Sequence, residues 1–550
     1  MRPATVERQI KKHINGWVII SVAGAAIVLL PLVTILLSVF QAPNENWSHI
    51  TQYMLRDYVL QSVWLVLFSG TGTVLIGVSL AWLIAAYDFP LKSFFRWALM
   101  LPLAVPPYIA AFTYSNMLSF TGVVQTTLRS WGFQPNPALF DIMSMPGAVF
   151  IFTMFLYPYV FMITRAFLER QSGSYIDNAR LLGRTPLSIF TQVVVPLSRP
   201  AIAGGVTLVA FEVLSDYGVV NYYGIQTFTT AIFKTWFGMY DLESATRLAA
   251  WFMFSILFLV VAERLMRRQR RFSATTSKGS PLISKRLRGP SSWLATAFCT
   301  AVLALSFLIP IAQLIVWAGW TYDDVLATAD FGRLTYNTVN AALMATVVIV
   351  ALSVIVANTT RTLNNAYGFA LAKMMTAGYS IPGAIIAIGV LSLFIGLDER
   401  LAPLYRAMGL GDSPLVLSLS LVMLVVAYII RFMATGYNAV EAGFEKIGMK
   451  YTESSRMLGL GMTGTFFKVD LPLIRGSLFS SVILTFVEIV KELPLALLLR
   501  PFNFDTLATK AYQYASDERI FSAALPSLII IGVSMTSIII FHHLGKRVGQ

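Results

Sequence analysis

Four carboxylates stand where carboxylates are costly. Glu212 and Asp216 lie in one long apolar run, Glu488 and Glu492 in another, and Lys491 sits beside the second pair. One offset relates the pairs, since 488 − 212 and 492 − 216 are both 276. A spacing of four predicts that each pair shares one helix face. Ionised groups inside a bilayer face a partner or a water-filled path. Two chemistries are therefore open. One is a buried ion-pair network, with Lys491 meeting Asp216 or Glu492. The other is a translocation path lined by carboxylate oxygen, in which Asp216, Lys491 and Glu492, nearer the outer ends of their runs, serve an outer gate. Tyr217, Tyr222 and Tyr223 follow Asp216. Phenolate oxygen is a hard ligand, but the cluster reads first as an interfacial aromatic belt.

Little other chemistry is encoded. There is no Gly-x-x-x-x-Gly-Lys-Ser/Thr loop, so ATP hydrolysis by that route is excluded. Gly459-Leu-Gly461-Met-Thr-Gly464 fits the dinucleotide pattern Gly-x-Gly-x-x-Gly, but no strand precedes it and no βαβ context surrounds it. The single cysteine, Cys299, lies in an apolar run, and His13, His49, His542 and His543 are scattered. Neither a disulfide framework nor a thiolate or imidazole metal site is expected. The formal charge of +14 suits basic cytoplasmic loops better than nucleic acid, because no basic stretch is interleaved with aromatic residues.

The elements that must position the carboxylates are membrane spans. The chain has 550 residues, 56% apolar and 12% charged, with a mean hydropathy of +0.69. A soluble chain carries about 25% charged residues. Apolar runs long enough to cross a bilayer fall near 17–40, 59–87, 95–117, 145–168, 201–223 and 247–265, then near 293–318, 335–358, 374–397, 415–437, 477–499 and 521–543. The first is too long for a cleaved signal peptide, and no small-residue cleavage site follows it. The expected fold is an all-α integral membrane protein of twelve transmembrane helices, as two parallel six-helix repeats related by a pseudo-two-fold axis along the membrane normal. The expected boundaries are 1–263 for the first repeat, 264–290 for a linker and 291–550 for the second repeat.

Directly before the carboxylate runs, one stretch is written twice. Tyr175, Arg180, Leu182, Gly183, Phe190, Val193, Pro196, Leu197 and Arg199 recur at the same offset as Tyr451, Arg456, Leu458, Gly459, Phe466, Val469, Pro472, Leu473 and Arg475. Nine identities in 25 ungapped positions exceed chance. Each copy predicts a short helix, a glycine in the left-handed C-cap, a second short helix, and a proline opening the next long element.

Loop charges set the orientation. Arg2, Arg8, Lys11 and Lys12 place the start inside, as Lys546 and Arg547 place the end. Arg165, Arg170, Arg180, Arg184 and Arg199 place the first repeated stretch inside, while Asp323, Asp324 and Asp330 mark an outer loop. The linker holds nine Lys or Arg between Arg264 and Arg288 and no acid, and its Ser, Thr and Gly content reads as a flexible cytoplasmic tether.

The repeated stretch resembles the coupling loop of permease subunits in bacterial ABC importers, whose pattern is Glu-Ala-Ala, a glycine four residues on, and a Leu-Pro-like pair a dozen residues later. Here the copies read Asp177-Asn178-Ala179 with Gly183 and Val195-Pro196, and Glu453-Ser454-Ser455 with Gly459 and Leu471-Pro472. The fused layout, with Leu214-Ser215-Asp216-Tyr217-Gly218 and Lys491-Glu492-Leu493-Pro494, is similar to that of ferric iron permeases. The resemblance implies the type I importer permease fold in the bacterial inner membrane, with both termini cytoplasmic. It implies coupling loops at 169–199 and 445–475, in which Asp177, Ala179, Arg180, Gly183, Pro196, Glu453, Ser455, Arg456, Gly459 and Pro472 meet an ATPase. The implied partners are a cytoplasmic ATPase homodimer carrying ATP and magnesium, and a periplasmic ferric-binding protein. This chain itself would be no enzyme and bind no cofactor, one fused chain standing in place of a permease dimer. Fe3+ would be its substrate, with Glu212 and Glu488 as its transient metal ligands. Thiamine, phosphonate, polyamine or sulfate import on the same architecture is the alternative. A secondary transporter or a channel is the alternative from another class.

Overall fold

The structure is a computed structural model that describes residues 16–40, 42–134, 136–170, 174–268, 284–327, 330–363, 365–409, 415–418 and 420–548. Residues 269–283 of the expected linker, the first fifteen residues and 171–173 of the first coupling loop lie outside these. The main helices run in chain order: α1 (Gly16–Ser38), α2 (Leu55–Ala86), α3 (Lys92–Ala98), α4 (Pro107–Leu118), α5 (Met145–Arg170), α6 (Ser174–Leu181), α7 (Val195–Ser215), α8 (Leu242–Arg268), α9 (Pro290–Leu303), α10 (Ile309–Ala327), α11 (Asp330–Leu363), α12 (Ala366–Thr376), α13 (Gly383–Ala407), α14 (Leu421–Ile447), α15 (Lys450–Met457), α16 (Arg475–Val490), α17 (Leu507–Ser516) and α18 (Ile520–Val548). Among the described residues the only sheet is a two-residue parallel pairing of β1 (Tyr87–Asp88) with β2 (Lys285–Arg286).

Among these residues nine helical stretches are long and apolar enough to cross a bilayer. Three more pass only as bent pairs, which brings the total to twelve. The bends are 89° between Lys92–Ala104 and Pro107–Ser130, 109° between Ala366–Ser380 and Gly383–Ala407, and 74° between Met462–Leu473 and Arg475–Val490. Hydropathy alone reads the first two as unbroken spans, near 95–117 and 374–397, and proline accounts for the difference. Val105 before Pro106 and Ile381 before Pro382 are both extended, as a residue preceding proline prefers. The third break falls at Ile474, two residues after Pro472.

The chain forms two compact units that do not follow chain order. One comprises Met1–Trp47, Ile232–Met253 and Ala329–Thr509; the other comprises Ser48–Ala231, Phe254–Thr328 and Lys510–Gln550. In the first unit α1 packs on α11, α12 and α13. The Ser21 hydroxyl donates to Thr359 Oγ1 at 3.0 Å, in a buried contact across 338 positions. Past the end of α1, the side-chain amides of Asn44 and Asn46 donate to Asp241 at 2.8 and 2.9 Å. In the second unit α2, α5 and α7 pack mutually, and α10 lies on α18 with Trp317 and Trp320 against Phe521. The first apolar run of each sequence repeat therefore belongs with the later spans of the other repeat.

Small residues set the spacing of α5 and α7. A Cβ on Gly205 would stand 2.8 Å from Val160 Cα, whereas one on the neighbouring Gly204 would meet nothing within 4 Å. Such close approach replaces hydrophobic burial as the source of cohesion in lipid. Gly205→Leu should lower the thermal stability of the detergent-solubilised protein by about 1–3 kcal/mol, as overpacking does, while Gly204→Leu leaves it unchanged. Equal melting temperatures for the two variants would contradict this packing.

Candidate functional site

The two repeated stretches fold alike. In the first, α6 buries Ile176 and Ala179 and exposes Leu181 and Leu182 at 86% and 81%. Gly183 takes φ +73°; its N–H donates to Arg180 O at 3.0 Å and the N–H of Arg184 donates to Ala179 O at 3.1 Å. In the second, α15 buries Thr452 and Ser455 and exposes Met457 and Leu458 at 89% and 85%. Gly459 takes φ +90°, with Gly459 N–H on Arg456 O at 3.0 Å and Leu460 N–H on Ser455 O at 3.3 Å. Both pairs of bonds form the Schellman motif, which needs a left-handed residue and so favours glycine. Pro196 and Pro472 each stand two residues after a π-turn, Phe190–Val194 and Phe466–Asp470, within a continuous helical stretch.

The expected coupling residues divide by direction. Ala179 and Ser455 point inward, and Ser455 Oγ meets Thr465 Oγ1 at 3.1 Å. Asp177 pairs with Arg180 at 3.1 Å on the half-exposed side, and Glu453 and Arg456 are exposed. The sequence reading missed the tips. Leu181-Leu182 and Met457-Leu458 are bulky apolar pairs held in the open beside each glycine, a place that marks a protein contact. Their repeat-related position was the available signal.

The roots of the two loops differ. Below α15, Asp470 is 1% exposed and accepts from Arg361 Nη1 at 3.4 Å and from the Thr452 hydroxyl at 2.7 Å. Arg361 Nη2 also donates to Thr452 Oγ1 and Gly448 O, each at 2.6 Å. The offset of 276 places Arg361, Thr452 and Asp470 on Ala85, Ile176 and Val194. One loop is thus rooted by a buried charged network and the other by apolar contact. Trp17 also reaches the second loop, donating from its indole to Thr463 Oγ1 at 3.2 Å and packing edge-on against Phe466 at 4.8 Å.

The carboxylate reading needs correction. α7 stops at Ser215, and Asp216 is extended at φ −70°, ψ 135°. α16 stops at Val490, so Lys491 and Glu492 lie beyond its end. Neither pair shares a helix face, because each helix ends between its two members. Asp216 Oδ1 accepts the N–H of Val219 at 2.8 Å and Glu492 Oε1 that of Leu495 at 3.3 Å. Both cap the amide three residues on and so stabilise the break. Lys491 pairs with Glu488 at 2.8 Å. Glu212 lies within α7, in the other compact unit. Among the described residues no three His, Cys, Asp or Glu side chains converge as a metal site.

The tyrosines are not a lipid-facing belt. Tyr223 is 5% exposed and its hydroxyl donates to Ala111 O at 3.1 Å. Tyr217 packs on Tyr512 at 6.2 Å, and Asn221 donates to the Tyr512 hydroxyl at 2.8 Å. Spacing alone does not separate a belt from a buried cluster made with a residue 291 positions away.

With this geometry in hand, the comparisons with known proteins are specific. A family described as "Binding-protein-dependent transport system inner membrane component" matches residues 73–272 and 350–550, one repeated stretch in each match. An Fe(3+)-transport system permease protein of Haemophilus influenzae is 23% identical over 478 residues, covering 84% of each chain. A probable ABC transporter permease protein of Sinorhizobium fredii is 19% identical over 516 residues, covering 89% of this chain and 88% of the other. A sulfate transport system permease protein of Escherichia coli is 24% identical over 212 residues, covering 37% of this chain and 70% of that one.

Two expectations follow from the loop geometry. Gly183→Val and Gly459→Val, each costing about 1 kcal/mol or more in the left-handed region, should leave inserted protein whose energy coupling is impaired; full transport in both variants would rule out a role for the caps. Arg361→Ala strands a buried carboxylate and should destabilise the protein by roughly 3–5 kcal/mol. The triple variant Arg361→Ala, Thr452→Ile, Asp470→Val, copying the apolar root of the first loop, should recover most of that loss in a thermal melt.

Proposed function

We propose the function of this chain from one premise: it belongs to the family of binding-protein-dependent transport system inner membrane components. It is the permease subunit of an ABC importer, a multi-pass inner membrane protein that performs no catalysis itself. We infer further that its cargo is ferric iron, received from a periplasmic ferric-binding protein and driven by a cytoplasmic ATPase homodimer that binds ATP and magnesium. One fused chain takes the place of a permease dimer, with repeats at 1–263 and 291–550, a tether at 264–290 and cytoplasmic termini.

The observation that carries the cargo reading is the pairing of a full-length relative with the chemistry of the spans. The ferric permease aligns over 84% of both chains. Carboxylates recur near the ends of α7 and α16, and carboxylate oxygen suits a hard trivalent cation. The same carboxylates would repel sulfate, the cargo named for a relative that aligns with only 37% of this chain.

The mechanism follows from the loops. Closure of the ATPase dimer on ATP would draw together the two helices that end in Leu181-Leu182 and Met457-Leu458. Asp177, Arg180, Glu453 and Arg456 would contact the ATPase, while Ala179, Ser455, Gly183, Gly459, Pro196 and Pro472 hold each loop's shape. α7 and α16 continue from the loops and would carry the motion to the path. Glu212 and Glu488 would each serve as a transient ligand of the cation. Lys491, already bonded to Glu488, competes with the cation there and favours release, since a pathway must not hold its ion tightly. Asp216 and Glu492 shape the breaks that line the outer entrance.

The test is uptake into vesicles containing the chain and its ATPase, with binding protein outside and ATP inside. Ferric iron should enter in an ATP-dependent manner, and sulfate, thiamine or phosphonate should not. Saturable uptake of one of those solutes instead, with iron excluded, would overturn the cargo assignment. Glu212→Gln and Glu488→Gln should each lower iron uptake by about tenfold, equivalent to roughly 1.4 kcal/mol. The double variant should be little worse than the weaker single, as for residues acting as one unit. Wild-type uptake by the double variant would make the two carboxylates structural.

A further inference from the structure

A cluster of oxygen donors stands at the break that ends α7, wholly within the second compact unit. The ring of Tyr217 lies 6.2 Å from that of Tyr512 on α17, and Asn221 Nδ2 donates to the Tyr512 hydroxyl at 2.8 Å. The Asp216 carboxylate and the Tyr217 hydroxyl are both within electrostatic reach of the Tyr512 hydroxyl. Tyr512 is 6% exposed, while Asp216, Tyr217 and Asn221 are half-buried. Ser516, exposed at the turn between α17 and α18, meets the Tyr512 hydroxyl and gives the cluster its access to water. Glu518 in the same turn is exposed and takes φ +60°, a left-handed conformation uncommon outside glycine.

Packing alone does not call for this donor set. The offset of 276 places Asp216, Tyr217 and Asn221 on Glu492, Leu493 and Leu497. Both carboxylates accept the amide three residues on, so the break after α16 is made with the same bond as the break after α7. Beside Glu492 the phenol and the amide are replaced by leucine, and Leu493 is 2% exposed. The carboxylate therefore belongs to the break. The phenol and the amide serve something that the first repeat does and the second does not.

The donors suit one class of ion. A cluster of permanent charges in a low-dielectric surrounding is costly unless it is paired. Phenols avoid that cost, because they stay neutral until a strongly polarising cation displaces their protons. One carboxylate and two phenolates carry three negative charges, which match a trivalent ion, and all three are hard oxygen donors. Calcium or magnesium polarises a phenol too weakly to displace its proton. Neighbouring rings 6.2 Å apart can bring two phenolic oxygens to one ion. We propose that Asp216, Tyr217 and Tyr512 bind a ferric ion, two phenolic protons passing to water as two bonds from phenolate oxygen to iron form. Asn221 positions the Tyr512 oxygen, and Glu518 draws the cation to the rim. The inference rests on ferric iron being the cargo, and it adds a site that holds the ion four residues before it would meet Glu212 on α7.

The test uses the full chain in lipid nanodiscs, without its ATPase, titrated with ferric nitrilotriacetate. Iron bound to phenolate absorbs visible light by charge transfer from ligand to metal, a signature that iron bound to carboxylate alone does not give. The wild-type chain should develop this band. Tyr217→Phe and Tyr512→Phe keep their rings and should each weaken binding by about tenfold. The double variant should lose the band while keeping its melting temperature. Tyr223→Phe, which removes a neighbouring phenol bonded to Ala111 O, should keep the band. Absence of the band in the wild type, or its survival in the double variant, would overturn the proposal. ATP-driven iron uptake by a chain that shows no band would overturn this site and leave the cargo reading standing. The band without iron uptake would support the site and overturn that reading.

Discussion

A backbone amide in hydrocarbon has no water to bond, so every departure from helix inside a bilayer must find its partners within the protein. This chain departs often, and its buried charges cluster where it does. Arg431, 8% exposed, donates to the carbonyls of Tyr379 and Ile381 at the 109° bend between α12 and α13. Asp398, 2% exposed, accepts the N–H groups of Leu417 and Ser418 and the Tyr405 hydroxyl, fixing the approach to α14. Asp216 and Glu492 each accept an amide just past a helix end. Charge at these places serves irregular backbone first.

That priority explains what the sequence made legible. Hydropathy locates the spans because burying 20 residues in lipid leaves no alternative composition. The repeated stretches are legible because a Schellman cap needs glycine, at Gly183 and Gly459, and because Pro196 and Pro472 recur at the same offset. The breaks are harder to see. Pro106 and Pro382 signal an extended predecessor, yet proline also occurs inside α1, α5 and α18 without breaking them. Asp216 and Glu492 looked like members of a helix face because a spacing of four carries no mark of where the helix ends. The buried role of Tyr223 rests on a carbonyl 112 positions away, beyond the reach of any local pattern.

The repeat is conserved in backbone and diverges in chemistry. Both loops share their cap, their proline and their apolar tip. Under the tips, Ala85, Ile176 and Val194 stand against Arg361, Thr452 and Asp470. The two stretches thus have the same shape on unlike foundations. An apolar root adapts by small repacking, whereas a network of a buried aspartate, an arginine and a threonine has few alternative arrangements.

The exchange of first spans has a consequence for how the protein is made. Ser21 is synthesised 338 residues before Thr359, its partner. At about 5–20 residues per second, α1 waits in the bilayer for roughly 17–70 s before the helix it packs against exists. During that interval its small-residue face, including Gly24 and Ala25, is open to lipid or to any other helix nearby. Biogenesis is thus the stage at which this chain is most exposed to wrong pairing, and α9, whose neighbour α3 is already in place when it emerges, is spared the wait.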